Sequence, residues 1–232
     1  MNKKGKNLDF LIDRPIAHRG IFDNKRIYEN TISAFERAIK LNYVIELDVR
    51  MLACGTVIVF HDDDMERLLH VEGSIDKLTY DELTYMAKYK IPTFEEVLKL
   101  VNGQVPLLIE TKSITKRCAL ENKVNQYLKE YKGLYAIQSF NLRSIKWFYK
   151  NRKDVAIGYL MGKRNYKSEP IFFRKYDFLS VSVKLFADKR VRKMREDKVV
   201  LGWGIKTKEQ FDLKKDVYDN LVCDNLLEID AS

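Results

Sequence analysis

The sequence predicts a (β/α)8 TIM barrel, in which eight parallel strands are surrounded by helices. The chain has 232 residues, and single α/β barrels commonly have roughly 200–250 residues. Short apolar runs alternate with amphipathic polar stretches along the chain, which is typical of alternating strands and helices. Nine such apolar runs occur, and two of them lie too close together to be parallel neighbours.

Nine strands are therefore predicted, one more than the barrel needs. They are Pro15–His18, Val44–Val49, Val57–His61, Pro106–Thr111, Leu134–Ser139, Val155–Leu160, Phe178–Val183, Val199–Ile205 and Leu221–Cys223. Parallel neighbours need a connection of about a dozen residues, and only seven separate Val49 from Val57. These two strands should form a hairpin that turns at Cys54-Gly55, where glycine accepts a positive φ. In this hairpin we expect Asp48 to lie opposite His61.

Helices are predicted for the amphipathic stretches between the strands. They are Thr31–Leu41, Thr93–Asn102, Ala119–Tyr131, Leu142–Asn151, Asp188–Asp197 and Lys208–Lys215. Asn30 or Thr31 is the expected N-cap of the first helix. No internal repeat, low-complexity segment or Pro/Gly/Ser-rich linker divides the chain, so we expect one domain over residues 1–232.

The composition favours a folded protein in a reducing compartment. Apolar residues make up 46% of the chain, close to the globular average. No run approaches the ~18 apolar residues that cross a bilayer. Asp9 and Asp13 interrupt the apolar part of the first 20 residues, so we expect no secretion signal. Three cysteines, an odd number without close pairing, favour a cytoplasmic location.

The net charge of +9 is unevenly distributed. Residues 1–113 carry 16 basic and 18 acidic residues, and residues 114–232 carry 26 and 15, which gives −2 and +11. The acidic half is where a cation would be held, and the basic half would attract anions. Lys184–Lys198 alone contains seven basic and three acidic residues. A solvated helix face and a weak contact with a membrane surface are both compatible with this stretch.

Carboxylates lie near the carboxyl ends of two predicted strands. Glu46 and Asp48 are two residues apart and face the same way, as do Glu110 and Lys112. Barrel enzymes build their sites at this end of the strands. Three oxygen ligands suit Mg²⁺ or Ca²⁺ better than zinc. A Glu110–Lys112 ion pair beside hydrogen-bonded carboxylates is an equally good alternative at this stage.

Histidines and cations complete a candidate site for phosphoryl transfer. His18 and His61 end predicted strands at the same rim, and a pair of imidazoles can supply a general base and a general acid. Arg19 and Lys112 would bind phosphate oxygens, and Gly20 would allow a close backbone approach. The sequence contains no Walker loop, dinucleotide fingerprint, Gly-x-Ser-x-Gly, His-Glu-x-x-His or Cys-x-x-Cys motif.

Seven short motifs occur in order along the chain, namely 17–20 (AHRG), 29–35 (ENTISAF), 45–49 (IELDV), 59–62 (VFHD), 91–97 (IPTFEEV), 106–112 (PLLIETK) and 138–140 (QSF). Together they resemble the glycerophosphodiester phosphodiesterase family. The resemblance implies a TIM barrel with a small insertion at about 63–90, and hydrolysis of glycerophosphodiesters to sn-glycerol 3-phosphate and an alcohol.

The resemblance also implies a role for each matching residue. Glu46, Asp48 and Glu110 would hold the divalent ion, His18 and His61 would be the acid/base pair, and Arg19 and Lys112 would bind the phosphate. Glu29 would lie near the site, although support of a helix start would explain it equally well.

The chain departs from the family pattern near its carboxyl end. The family often has Trp-Thr-Val-Asn where residues 203–206 read WGIK, and Thr-Asp-x-Pro where residues 223–226 read CDNL. We expect these positions to line the substrate pocket. The sequence is equally compatible with a position of Trp203 in that pocket and with ordinary packing in the barrel.

Two other functions are compatible with parts of the sequence. A phospholipase of the lysophospholipase D or phosphoinositide-specific type would use Lys184–Lys198 at a lipid surface. A non-catalytic polyanion-binding protein would use the basic half, although no recognisable nucleic-acid-binding motif occurs. We therefore expect a small-molecule substrate and no nucleic acid partner. The sequence predicts neither the oligomeric state nor the preferred alcohol.

Overall fold

The computed structural model describes residues 6–114, 117–163, 175–214 and 217–224. Its strands are β1 (Ile16–His18), β2 (Val44–Met51), β3 (Val57–Val59), β4 (Leu107–Thr111), β5 (Tyr135–Ser139), β6 (Ala156–Met161), β7 (Phe178–Ser182), β8 (Val199–Ile205) and β9 (Asn220–Cys223). All strands except β3 pair in parallel, and β1 pairs with both β2 and β9. Eight parallel strands thus close into the predicted barrel, with β3 attached antiparallel to β2.

Helices connect these strands on the outside of the barrel. They are α1 (Ile32–Lys40), α2 (Glu66–Leu69), α3 (Tyr80–Met86), α4 (Phe94–Val101), α5 (Ala119–Glu130), α6 (Leu142–Asn151), α7 (Lys189–Asp197) and α8 (Lys208–Lys214). The six predicted helices begin and end within one residue of the expected positions, except that Lys215 lies outside the described residues. Thr31 caps α1, because its side chain accepts a hydrogen bond from Ala34 N–H.

The predicted hairpin is present, but its predicted register is wrong by one residue. Leu52 N–H donates to Thr56 O, which leaves a three-residue loop that ends with Gly55 at a φ of +83°. This loop type ends with a left-handed residue, most often glycine. Asp48 O consequently accepts a hydrogen bond from Phe60 N–H, and His61 reaches the barrel mouth from the segment after β3 instead of from a position opposite Asp48.

The barrel interior is apolar at its floor and polar at its mouth. One buried cluster fills the floor, and it consists of Leu8, Leu11, Ile16, Val44, Leu108, Ala136, Ala156, Phe178, Val199, Leu201 and Val222. Because alternate strand residues face the same side, the positions two residues further along several of these strands also point inward. Those positions include Glu46, Glu110, Gln138 and Ser180, which are polar and buried.

The segment between β3 and α4, predicted as an insertion at about 63–90, has its own apolar core. It contains α2, a 3-10 helix (Ile75–Lys77) and α3. Its buried residues pack with Leu52 and Ile58 of the β2–β3 hairpin in a separate cluster, whose other members are Phe60, Met65, Leu68, Leu69, Ile75, Leu83 and Ile91. This cluster holds α2 beside the barrel mouth. In the described part of the chain, no helix has the length and apolar character needed to cross a membrane.

Gly20, the last residue of the first motif, provides a test of backbone packing. Its φ is +82°, and a Cβ there would lie 2.9 Å from the carbonyl carbon of Ala34. Gly55 has a similar φ of +83° but open space around it. We predict that Gly55→Ala lowers the free energy of unfolding by about 1–2 kcal/mol. Gly20→Ala should cost a further 1–3 kcal/mol or so because of the clash. Urea unfolding measures both, and equal losses would contradict the packing explanation.

Candidate functional site

A pocket of about 620 Å³ opens at the carboxyl end of the barrel strands. Eight of the sequence-predicted residues line it, namely His18, Arg19, Glu29, Glu46, His61, Glu110, Lys112 and Trp203. Asp48 is fully buried and contacts the pocket residue Lys112. The structure therefore brings all nine predicted site residues to one place.

Three carboxylates from two adjacent strands form a cluster in this pocket. The β2–β4 register places Asp48 beside Glu110, and Glu46 lies two residues before Asp48. Each offers one oxygen within 4.8 Å of the others, and all three residues are buried. Burial raises the pKa of Glu46 well above its usual range, and the charges of Asp48 and Glu110 raise it further. Burial and the two neighbouring carboxylates thus both disfavour the charged form of Glu46.

Hydrogen bonds fix the orientation of two of these carboxylates. Glu46 accepts from the Arg19 backbone N–H at 3.2 Å and from Gln138 Nε2 at 3.3 Å. Asp48 Oδ2 accepts from Asn30 Nδ2 at 2.9 Å. One alternative from the sequence was that these carboxylates are hydrogen-bonded within the protein. The structure contains these hydrogen bonds together with the three-carboxylate cluster.

Two cations lie against the cluster. Lys112 Nζ lies 2.6 Å from Glu110 Oε1 and 3.1 Å from Asp48 Oδ1. Arg19 Nη1 lies 2.6 Å from Glu29 Oε1, and Arg19 Nε lies 3.4 Å from Asp48 Oδ2. Burial raises the pKa of Asp48, but Lys112 and other nearby cations outweigh it and hold that pKa well below its usual value. Asp48 is therefore ionised in this environment.

The pocket has more acidic than basic side chains, which favours the binding of a divalent cation. Six carboxylates belong to it, namely Glu29, Glu46, Asp48, Asp62, Glu110 and Asp224, against the four cations Arg19, Arg67, Lys112 and Lys206. With neutral imidazoles the ionised pocket has an excess of two negative charges, which one divalent cation would neutralise. The clustered donors are all carboxylate oxygens, which suit Mg²⁺ or Ca²⁺. The residues therefore fit the predicted metal.

Each pocket histidine is held by a carboxylate at Nδ1. His18 Nδ1 bonds Asp224, and His18 Nε2 lies 4.0 Å from Glu46 Oε2. His61 Nδ1 lies 2.5 Å from Asp62 Oδ1. The two imidazoles are 24% and 31% exposed. A carboxylate at Nδ1 orients the ring and leaves Nε2 available for proton exchange with a molecule in the pocket.

Glu29 belongs to an ion-pair network at one side of the pocket. Its carboxylate contacts Arg19 Nη1, both terminal nitrogens of Arg67 and Asn24 Nδ2. Burial raises the pKa of Glu29, but Arg67, Arg19 and Asn24 lower it to about 2. Thr31 provides the side-chain cap of α1, while an electrostatic contribution of Glu29 to the helix start stays a prediction. Glu29 lies outside the three-carboxylate cluster.

Sequence reasoning missed several contacts at the site. From the sequence, no contact was assigned to Asp62 of motif 59–62, Gln138 of motif 138–140 or Asp224 of residues 223–226. The position of Asp62 directly after His61 was a usable signal, as was the position of Asp224 directly after β9. Arg67 lies in the insertion, where no periodic pattern in the sequence indicated a helix or a position at the site. Residues 225 and 226, the last two of the 223–226 sequence CDNL, lie outside the described residues.

Apolar residues also line the pocket, and we call them the apolar wall. It consists of Phe22, Phe140, Leu160, Trp203 and Val222. Trp203 and Phe140 pack edge to face, with ring centroids 5.6 Å apart at 90°. The two alternatives for Trp203 were a place in the pocket and ordinary packing. The side chain does both, since it lines the pocket and packs against Phe140.

The basic stretch Lys184–Lys198 forms a 3-10 helix (Val183–Leu185) and α7. Arg190 and Arg195 form ion pairs with acidic neighbours, and Lys198 Nζ donates to a backbone carbonyl. Three of its seven cations therefore have partners within the protein, and contact with a membrane remains a prediction.

Comparisons with known proteins agree on one family. The glycerophosphoryl diester phosphodiesterase family model matches residues 18–225. A glycerophosphodiester phosphodiesterase of Caldanaerobacter subterraneus is 36% identical over 160 residues, which cover 62% of this chain and 65% of that protein. One of Bacillus altitudinis is 29% identical over 160 residues, which cover 62% of this chain and 64% of that protein. The chain thus spans less than two thirds of the length of these curated relatives.

A solved structure extends the similarity to the whole fold. The crystal structure of a glycerophosphodiester phosphodiesterase from Thermotoga maritima matches with a TM-score of 0.79 and 26% identity, and covers 94% of this chain and 97% of that one. Together with the family match over most of the chain, this shows that the protein belongs to the glycerophosphoryl diester phosphodiesterase family.

Proposed function

We propose that the protein is a metal-dependent phosphodiesterase that hydrolyses glycerophosphodiesters to sn-glycerol 3-phosphate and an alcohol. The observation that carries this proposal is the buried cluster of three carboxylates beside two carboxylate-held histidines in one pocket. Family membership favours the same reaction. A small water-soluble diester is the expected substrate.

Arg19 and Lys112 would bind the phosphate. Both cations lie at the edge of the carboxylate cluster and line the pocket. The planar guanidinium offers several donors, and the ammonium acts as a compact charge. A phosphodiester carries one negative charge, so these cations would stabilise the additional charge that develops on the non-bridging oxygens during the reaction.

His18 and His61 would carry the proton transfers. The neutral ring takes a proton from the attacking water, and the protonated ring gives one to the departing alkoxide. One P–O bond forms to the entering oxygen, and the P–O bond to the alcohol breaks. The Nδ1 carboxylates, Asp224 and Asp62, stabilise each ring when it is charged. The substrate's own glycerol hydroxyl can replace water as the nucleophile, and a cyclic phosphate is then hydrolysed in a second step.

Glu46, Asp48 and Glu110 would hold the divalent ion. When bound, the ion supplies Lewis-acid stabilisation of the phosphate oxygens. Asn30 and Gln138 donate hydrogen bonds to Asp48 and Glu46, and such contacts to ligands typically preserve their orientation.

We further propose that the enzyme acts in a reducing cytoplasm. Cys54, Cys118 and Cys223 are all free, and disulfides are rare in that compartment.

A lysophospholipase D activity is the second candidate, because of the apolar wall. A lysophospholipid is a glycerophosphodiester with one acyl chain, and an apolar surface next to the charged groups would accept its first carbons. Trp203→Ala should then reduce kcat/KM for lysophosphatidylcholine more than for glycerophosphocholine. Sedimentation with anionic vesicles at low salt tests the accompanying membrane contact. Equal effects on both substrates, with no sedimentation, would eliminate this candidate.

Release of sn-glycerol 3-phosphate from a panel of glycerophosphodiesters tests the first candidate. We expect turnover of at least one of the choline, ethanolamine, glycerol and inositol diesters, in the presence of Mg²⁺ or Ca²⁺. No release from any diester with either ion would refute the proposed reaction.

Substitution of the histidines tests their roles. His18→Ala and His61→Ala should each lower kcat by at least about 10²–10⁴-fold, because each removes one acid/base group. His70 is the third histidine and lies outside the pocket, at a φ of +57° that asparagine also accepts. His70→Asn should therefore keep normal turnover. Near-normal kcat in either alanine variant would remove that residue from the mechanism.

Metal removal and Glu46→Gln test the carboxylate cluster. EDTA should abolish activity, and added Mg²⁺ or Ca²⁺ should restore it. Glu46→Gln should lose most activity and weaken metal binding in calorimetry by about 10-fold or more, because one charged ligand is lost. Glu95→Gln, which alters an exposed ion pair on α4, is the control and should bind metal normally. Full activity of the wild type in EDTA would show that the metal assignment is wrong.

A further inference from the structure

An arginine from the inserted segment lies behind one of the pocket histidines. Arg67 Nη1 and Nη2 lie 2.8 and 2.7 Å from the two carboxylate oxygens of Glu29. Arg67 Nε lies 2.6 Å from Asp62 Oδ2, and Asp62 Oδ1 lies 2.5 Å from His61 Nδ1. Charged hydrogen bonds thus connect Glu29, Arg67, Asp62 and His61 without a break.

The burial of Glu29 favours a fixed geometry of its pair with Arg67. The Glu29 side chain is 2% exposed and that of Arg67 is 44% exposed, so the carboxylate anchors the guanidinium from inside the protein. A bidentate arginine–carboxylate pair is both strong and directional. Burial raises the pKa of Asp62, but His61 and Arg67 outweigh it and hold that pKa well below the usual value. Asp62 therefore stays ionised between its two partners.

His61 needs such support more than His18 does. β3 ends at Val59 and one further backbone hydrogen bond joins Phe60 to β2, so His61 and Asp62 lie beyond the strand. By contrast, His18 belongs to β1, and its partner Asp224 directly follows β9, which pairs with β1. Arg50 Nε donates to His61 O at 2.9 Å, which holds the backbone but leaves the imidazole to Asp62.

The inserted segment fixes the position of Arg67. α2 contains Arg67, and the neighbouring Met65, Leu68 and Leu69 are buried in the separate core of the insertion. Leu69 N–H donates to Met65 O and thereby closes the turn. Packing of this small core therefore determines where the guanidinium meets Glu29 and Asp62.

We infer that Arg67 is a positioning residue for the reaction, which holds Asp62 so that His61 keeps Nε2 directed into the pocket. Delivery of this side chain is then a function of the inserted segment. The inference rests on the proposed function, because its effect is measured as hydrolysis of a glycerophosphodiester.

Substitution of Arg67 provides the test. Arg67→Met should lower kcat by about 10- to 100-fold, the usual effect of losing a group that orients another. KM should change by less than about threefold, since the residue acts on the reacting geometry and not on substrate binding. Arg67→Lys should recover part of kcat, because an ammonium can pair with Asp62 but cannot also bridge both oxygens of Glu29. Lys77→Met removes an exposed cation from the same segment and should match the wild type.

Two further measurements separate positioning from simple destabilisation. Millimolar guanidinium should raise the kcat of Arg67→Ala and leave that of His61→Ala unchanged. Asp62→Asn combined with Arg67→Met should lose no more activity than the more damaging single variant, because both act through His61. A wild-type kcat in Arg67→Met, a rise in KM alone, or fully additive losses would each overturn the inference. An inactive wild type on every diester would instead indicate that the proposed function is wrong.

Discussion

Three carboxylates buried in one barrel mouth are the constraint on which the rest of the site depends. Charges removed from water are strongly unfavourable unless they are paired and hydrogen-bonded, and Glu46, Asp48 and Glu110 are all buried. Lys112, Arg19, Asn30 and Gln138 offset part of this cost. Burial, together with the charges of Asp48 and Glu110, still raises the pKa of Glu46 above its usual range. We propose that a divalent cation offsets the remaining cost, which would account for the charged residues on a buried strand.

The barrel supplies the geometry that makes this arrangement possible. Alternate inward positions form an apolar floor, and the positions above them form the polar mouth. Apolar packing is provided by this floor and by a larger buried cluster between the strands and the outer helices, whereas the charged residues lie at the mouth. The segments outside the barrel then complete the site, since the segment directly after β3 brings His61 and the insertion brings Arg67. Stability and chemistry are therefore located in different layers of the same strands.

Much of this could be predicted from the sequence, for identifiable physical reasons. Alternating apolar runs define the strands, and the two-residue period places Glu46 with Asp48 and Glu110 with Lys112 at the strand ends. The hairpin register was missed because Gly55 serves equally well in a two-residue or a three-residue loop. Arg67 was missed because its place depends on the packing of a small separate core. Asp224 was placed at the pocket, but its bond with His18 depends on the closure of the barrel between β1 and β9.

The central claim is that the three carboxylates form one metal site. A crystal structure of the protein grown with Mn²⁺, with anomalous data collected at the manganese edge, tests this most directly. We expect a single strong peak in the pocket, about 2.0–2.6 Å from one oxygen of each of Glu46, Asp48 and Glu110. A pocket without a peak, in which Lys112 and Arg19 alone compensate the carboxylates, would contradict the claim.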